Sequence, residues 1–479
     1  MTVMRALHGL VLVALLVSAA GLPGPATAQG FVGSLAVTPD RGPVGTRVTL
    51  TGKGLPPNAA LDVVWQTVEA EWLQEPPLFK GIGVRESEHR IATVTTAADG
   101  SFTSMLKVPQ EYGGLHDIYL MQGGRALNKA GFRTLPIVTM LPSSGPVGTS
   151  IRLTLSGFNP AHQLETWYFV MYDNKLVGYI TALRTNGTAR VAIPATGEPG
   201  LHVVEVFNGG VGGPYRNPES SPLRAIQGLE PVFRFTFKLT DGPAIIPPAI
   251  EAQWAKPVRG VEPAPSSPVI WSDLRSGPVG TPSVLRGKGF AAGERVDLLF
   301  YNMKGSRLST TGFAAHVEEM GSLTAGADGA FAWTFTIPDH LGGAHRIAAR
   351  VRDAEVASTT LVVDRTALPL AKREYRVGEE ILVHLKGIGW TETDNIISLV
   401  YDNSWIGYAC GFNTDGDVVV RVRATGAPGW HYVDVYPTLY RYRNYSQTME
   451  LPFLFRYPML SWQDHPQPFV FRYAFKIVK

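Results

Sequence analysis

The chain has 479 residues, of which 45% are hydrophobic and 17% charged, with 51 glycines, 36 prolines and a formal net charge of +3. These totals exclude a disordered chain and a single small domain, and they suit several packed, turn-rich β units. With so small a charge and no Lys/Arg run, nothing asks for nucleic acid or for an acidic partner.

The N-terminus reads as a secretory signal over residues 1–28. Arg5 supplies the positive end, Leu10 to Ala20 the short apolar run, and Ala26-Thr27-Ala28 the small-residue cleavage pattern before Gln29. Removing Arg5 leaves a mature charge of +2, since 3 − 1 = 2. No later apolar run reaches spanning length, so no membrane span is expected after cleavage, and the protein is expected outside the cell. Cys410 is the one cysteine, so internal disulfides are excluded and the domains must rest on apolar cores. Its strand-like surroundings predict a buried structural thiol.

Two phrases recur along the mature chain. The first, Gly42-Pro43-Val44-Gly45-Thr46, returns at Gly145 to Thr149 and at Gly277 to Thr281, with a worn copy at Arg376-Val377-Gly378-Glu379. A period-two strand follows each copy, such as Ile151, Leu153 and Leu155 on one face. A glycine break comes next, read at Gly54-Leu55, Gly157-Phe158, Gly289-Phe290 and Gly389-Trp390. The second phrase is a tight turn, a strand, a short loop and another strand that opens on histidine. Its turns are Asp99-Gly100, Asn186-Gly187, Asp328-Gly329 and Asp415-Gly416, read as hairpins, and its histidines are His116, His202, His345 and His431.

The copies are also paired. The intervals 431 − 202 and 345 − 116 are both 229, and Tyr172-Asp173-Asn174 returns as Tyr401-Asp402-Asn403. Alternating last strands, with Phe233, Phe235 and Phe237 in one and Phe471, Tyr473 and Phe475 in the other, complete the match. A two-domain block has been duplicated. The expected fold is all-β: four tandem immunoglobulin-like β-sandwiches at 31–136, 137–242, 269–364 and 365–479, with a Pro-rich, semi-rigid linker at 243–268. Trp254 in that linker is expected to dock on a neighbouring domain. Glu69 to Leu73 could form a helical turn stopped by Pro76-Pro77.

This combination of opening, break, turn and Gly-x-His strand resembles bacterial immunoglobulin-like repeats of the IPT/TIG type, over nearly the whole mature chain. The resemblance implies the sandwich fold. It leaves function open, because such modules serve as spacers, adhesive domains and appendages of enzymes.

The strand phase of the four histidines points them inward: His202 shares a face with Val204 and Val206, and His431 with Val433 and Val435. They are therefore read as structural rings that bond backbone groups at the sandwich edge, neutral at pH 7, not as a catalytic or metal set. The Asp-Gly turns lack the ligands of a calcium loop. Glu69, Glu71, Glu75 and Glu86 read as a solvated acidic loop. No catalytic, cofactor or metal residue is assigned.

The candidate ligand surface is the aromatic loop of the fourth unit: Tyr440, Tyr442, Arg443, Tyr445 and Trp462; Asp402 and Asn403, like Asp173 and Asn174, read as a strand ending in a turn, with a shared polar site as the alternative. Packing of that loop on its own sandwich, or on the third unit, is the alternative. The expected function is non-catalytic: adhesion, surface structure, or binding of a polysaccharide or cell-envelope protein. A glycan-directed hydrolase with a site between paired domains, and a pure envelope spacer, remain as other readings.

Overall fold

The computed structural model describes residues 30–76, 78–158, 168–208, 214, 233–264, 268–306, 312–411, 414–440 and 454–479. The fold is all-β and immunoglobulin-like. In the second unit, Ile137–Leu141, Ser150–Ser156 and Ala189–Pro194 form an antiparallel sheet with the middle strand shared. The opposing sheet runs Ser144–Gly145, Phe233–Leu239, Gly200–Asn208, Tyr168–Tyr172 and Lys175–Ile180, its first pair parallel and the others antiparallel. The fourth unit repeats this order with Thr366–Ala367, Glu380–Lys386 and Val418–Arg423 against Glu374–Arg376, Phe471–Val478, Gly429–Pro437, Ile396–Tyr401 and Ser404–Cys410. The first unit has the same plan, and the third adds Val258–Arg259 to its larger sheet. Each sandwich encloses its own apolar core, built from the inward-alternating residues.

The recurring phrases meet in space. The glycine of each opening phrase has positive φ (84° at Gly45, 83° at Gly148, 80° at Gly280, 86° at Gly378), so the worn fourth copy keeps the turn of the others. The break glycines Gly54, Gly157 and Gly289 have φ of 65°, 72° and 82°, and their fourth counterpart is Gly387, at 66°. This corrects the sequence reading of Gly389-Trp390. The physical reason is a shared hydrogen bond: the amides of Leu55, Phe158, Phe290 and Ile388 donate to Gly100, Gly187, Gly329 and Gly416, at 3.1, 3.0, 3.1 and 3.1 Å. The Asp/Asn-Gly turns are not hairpins within one sheet, because the strands before and after them belong to opposing sheets. Each turn crosses the sandwich and is held by the break beside it.

Consecutive units join in the same way twice. Gly113 N–H donates to Phe158 O at 3.0 Å, and Gly342 N–H donates to Ile388 O at 3.1 Å. A Cβ on Gly187 would lie 2.8 Å from Tyr112 Cα, and one on Gly416 would lie 2.9 Å from Leu341 Cα. The intervals 342 − 113 and 416 − 187 are again 229, so the duplicated block carries its internal joint with it.

The segment read as a linker is bound along much of its length. Ile245 N–H donates to Val147 O of the second unit, and its carbonyl accepts from Tyr432 Oη–H of the fourth at 2.9 Å. Ile250 enters the fourth core, and Gln253 bonds both the amide and the carbonyl of Arg472, each at 2.8 Å. Trp254 Nε1–H donates to Ala367 O at 2.8 Å, so this indole docks on the fourth unit.

Candidate functional site

The outer face of the fourth unit's larger sheet packs on the second unit. Val400 and Tyr436, which alternate away from the fourth core, are buried in the cluster of the second. At this contact, Asp434 and Arg472 form a bidentate pair at 2.6 and 2.8 Å, and Arg472 Nη2 also donates to Ala192 O of the second unit's smaller sheet. Burial works against the guanidinium charge, but the Asp434 carboxylate outweighs it and holds the Arg472 pKa above its ordinary value.

A strap from the fourth unit, residues 457–465, locks this packing. Tyr179 N–H donates to Pro458 O at 2.9 Å, and Leu460 N–H donates to Tyr179 O at 2.8 Å, which extends the second unit's sheet beyond its edge strand Lys175–Ile180. Gly178 makes room for it: a Cβ there would lie 2.4 Å from Pro458 O. Further on, Ser461 Oγ accepts the Thr181 amide at 2.9 Å. The Asp464 carboxylate accepts from Thr181 Oγ1–H at 2.5 Å, Leu183 N–H at 2.9 Å and Arg184 N–H at 2.6 Å. Burial raises its pKa despite these donors. His465 is fully buried, accepts from Gln467 N–H through Nδ1 at 3.0 Å and donates from Nε2 to Thr438 O at 3.2 Å. Burial drives its pKa down to about 3.

The first unit completes the lock. Its strands Ala60–Glu75 and Leu78–Thr95 form one long hairpin whose last pair is Glu75 with Leu78, and Glu69 to Leu73 are strand with no helical turn. The expectation of a helix missed the period-two run Val68, Ala70, Trp72, whose intervening Glu69 pairs with Arg85 across the hairpin. At the tip, Trp72 Nε1–H donates to Asp464 O at 2.6 Å, and Phe79 N–H donates to the Glu392 carboxylate at 2.7 Å. Trp72 and Phe79 join Phe169, Tyr179, Leu439 and Met459 in an apolar cluster drawn from three units. The acidic stretch is thus the arm of a clamp and not a free loop.

The predicted site residues are dispersed by this arrangement. Asn403 is 1% exposed and donates from Nδ2 to Pro194 O and Thr196 Oγ1 of the second unit. Trp462 is half-buried against the second core, so the described part of the aromatic loop packs on the second unit, neither on its own sandwich alone nor on the third. Tyr440 ends a short strand that pairs with Leu454–Phe455. Tyr442, Arg443 and Tyr445 lie outside the described residues. Cys410 is half-buried at the end of its strand, less enclosed than expected.

Asp402 and Asp173 have a definite role. Each opens a two-residue turn with positive φ at both positions (44° and 60° at 402–403, 48° and 63° at 173–174). Each accepts from its histidine: His431 Nδ1 lies 2.5 Å from Asp402 Oδ2, and His202 Nδ1 lies 2.5 Å from Asp173 Oδ2. In the first and third units a backbone carbonyl stands in, Gln66 O for His116 and Tyr301 O for His345. The rings sit inside as the strand phase indicated. Two of the rings are shifted in opposite directions: burial lowers the His345 pKa, whereas at His431 the Asp402 carboxylate overcomes burial and raises it.

Beside Asp402 lies an open cleft of about 580 Å³ along the side of the fourth sandwich, between the edge strands Ser404–Cys410 and Val418–Arg423. Lys175 of the second unit, Arg421, Arg423 and Tyr408 line it. Among the described residues no group of three or more His, Cys, Asp or Glu could hold a metal ion, and no helix is long and apolar enough to cross a membrane.

No family model matches the chain, and neither does any curated protein. Among solved structures, the chain is similar to invasin, a bacterial integrin-binding protein, at 11% identity over 93% of this chain and 79% of that one, with a TM-score of 0.19. It is similar to FdeC, an Escherichia coli adhesin, at 14% identity over 69% and 96%, with a TM-score of 0.16. A D1–D4 ectodomain fragment of ICAM-5 gives 12% identity over 93% and 99%, with a TM-score of 0.18. At such scores the fold assignment rests on the chain's own sheets.

Proposed function

We propose that this is a secreted, non-catalytic protein of IPT/TIG-type sandwiches that binds a cell-envelope protein or polysaccharide as one stiff body. The observation that carries the reading is the clamp: a hairpin arm, a strap and a docked connector hold the units against one another. A passive spacer gains little from such folding back, whereas a binding surface built from several units gains a fixed geometry. The polar groups that could have suggested chemistry serve the scaffold: Asp402 holds His431, and the nearest cleft is lined by Lys175, Arg421 and Arg423, with no second carboxylate beside Asp402 among the described residues. That arrangement disfavours a carboxylate-pair hydrolase.

The test uses residues 29–479, incubated with washed cell envelopes and with insoluble polysaccharides. Saturable retention on one of them, with no release of reducing sugar, is expected. Absence of retention on all of them, or sugar release that follows the purified protein, overturns the reading.

A further inference from the structure

The duplication supplies an internal comparison between the edge strands Lys175–Ile180 and Ser404–Cys410. Tyr179 and Tyr408 are equivalent, since 408 − 179 = 229, and each lies opposite the matching residue of the neighbouring strand, Phe169 or Ser398. At Tyr179 the outward amide and carbonyl are both taken by the strap, and the side chain is 0% exposed. Tyr408 is 42% exposed and Ile406 46%, and nothing lies within 4 Å of the position a Cβ on Gly407 would take. Among the described residues no group bonds the Tyr408 amide or carbonyl. Among the described residues, the fourth unit therefore leaves unpaired the kind of edge that the second unit fills with an extended segment.

The surroundings state the chemistry of an occupant. Lys175, Arg421 and Arg423 line the cleft beside the edge, and the Arg456 guanidinium stands 4.8 Å over the Tyr408 ring. Glu380 pairs with Arg421 and Arg423 from outside the cleft, and Asp402 is engaged by His431. The chain as a whole is nearly neutral, so its composition hides this local excess of cations. The geometry points to a strand-addition site for an acidic, extended segment of a protein partner. The partner's backbone pairs with Tyr408, its apolar side chains lie on Ile406 and Tyr408, and its carboxylates meet Lys175, Arg421 and Arg423. This rests on the reading of the protein as a binding module, and it names the partner class and the place.

The experiment uses the mature chain and a fluorescein-labelled nonapeptide that alternates glutamate with valine and leucine. Anisotropy is measured for it, for its lysine counterpart, and for a form N-methylated at alternate residues, which cannot pair with an edge. Saturable binding of the acidic peptide is expected, with both other peptides at least tenfold weaker. Tyr408→Ala and the double change Arg421→Glu with Arg423→Glu each weaken it at least tenfold, and Met105→Ala, on the first unit, leaves it unchanged. Hydrogen exchange at Tyr408 is fast in the free protein and slows with peptide bound.

Four results overturn the proposal: no saturable binding, equal binding of the N-methylated form, indifference to the Tyr408 and arginine changes, or slow exchange at Tyr408 without peptide. Envelope retention is a separate readout. If it fails while the acidic peptide binds, only the broader functional reading falls; if retention holds while the peptide fails, only this site falls.

Discussion

Replacing Asp464 by alanine tests whether the strap is a local clamp. The carboxylate accepts the amides of Leu183 and Arg184 and the hydroxyl of Thr181, and Asp464 itself is 2% exposed. The Thr181 hydroxyl can rotate toward another acceptor, but the two amides cannot. A buried orphan donor costs about 1–3 kcal/mol, and the Arg184 amide lies nearer to solvent than that of Leu183. Losing a carboxylate that burial disfavours returns part of the cost. The net is about 3 kcal/mol, roughly a hundredfold in the equilibrium for strap opening, since about 1.4 kcal/mol is tenfold. Hydrogen exchange read by mass spectrometry should therefore accelerate about a hundredfold over residues 179–184 and at Leu460. Exchange in the core strand Ser150–Ser156 should stay as it was. Asp464→Asn, which keeps one acceptor, should recover part of the protection. Unchanged exchange at 179–184, or acceleration spread evenly over all four units, would refute the reasoning.

Removing one member of the buried Asp434–Arg472 pair should cost about 3–5 kcal/mol in denaturant titration, because the other charge is stranded, whereas changing both to apolar residues of similar volume should come close to neutral. The His431 pKa is raised in the folded state, so its pairing with Asp402 stabilises fully below about pH 6.5, and that contribution fades as pH climbs through the folded value. Denaturation across pH 5–9 should show this slope, and Asp402→Asn should flatten it. His465 has the opposite sign: with its folded pKa down at about 3, its contribution is complete above about pH 6.5 and is lost as pH falls toward 3. His465→Gln should reduce the acid sensitivity of strap exchange, and an unaltered acid limb would count against the role.

The repeats made the architecture legible. Period-two runs gave the strands, and the histidines' strand phase placed their rings inside. The Gly389 error shows the limit: two glycines stand close together, and only the bond from the Ile388 amide to Gly416 O selects Gly387. The candidate site was less legible. Asn403 and Trp462 were chosen for their residue types, yet each faces a partner unit far off in sequence. The run Val68, Ala70, Trp72 carried a strand signal that the acidic residues between them obscured.

By itself, the sequence determined what local backbone chemistry and side-chain alternation can encode: four sandwiches, their turns and their duplication. Alternation reports only that a face is apolar or polar, and it names no partner for the outer face. Tertiary structure decided that Tyr179 is covered by a strap while Tyr408, at the equivalent position, is 42% exposed. Contacts between segments hundreds of residues apart depend on how whole units dock, and docking is set by the shape and charge of assembled surfaces that no single stretch of chain contains.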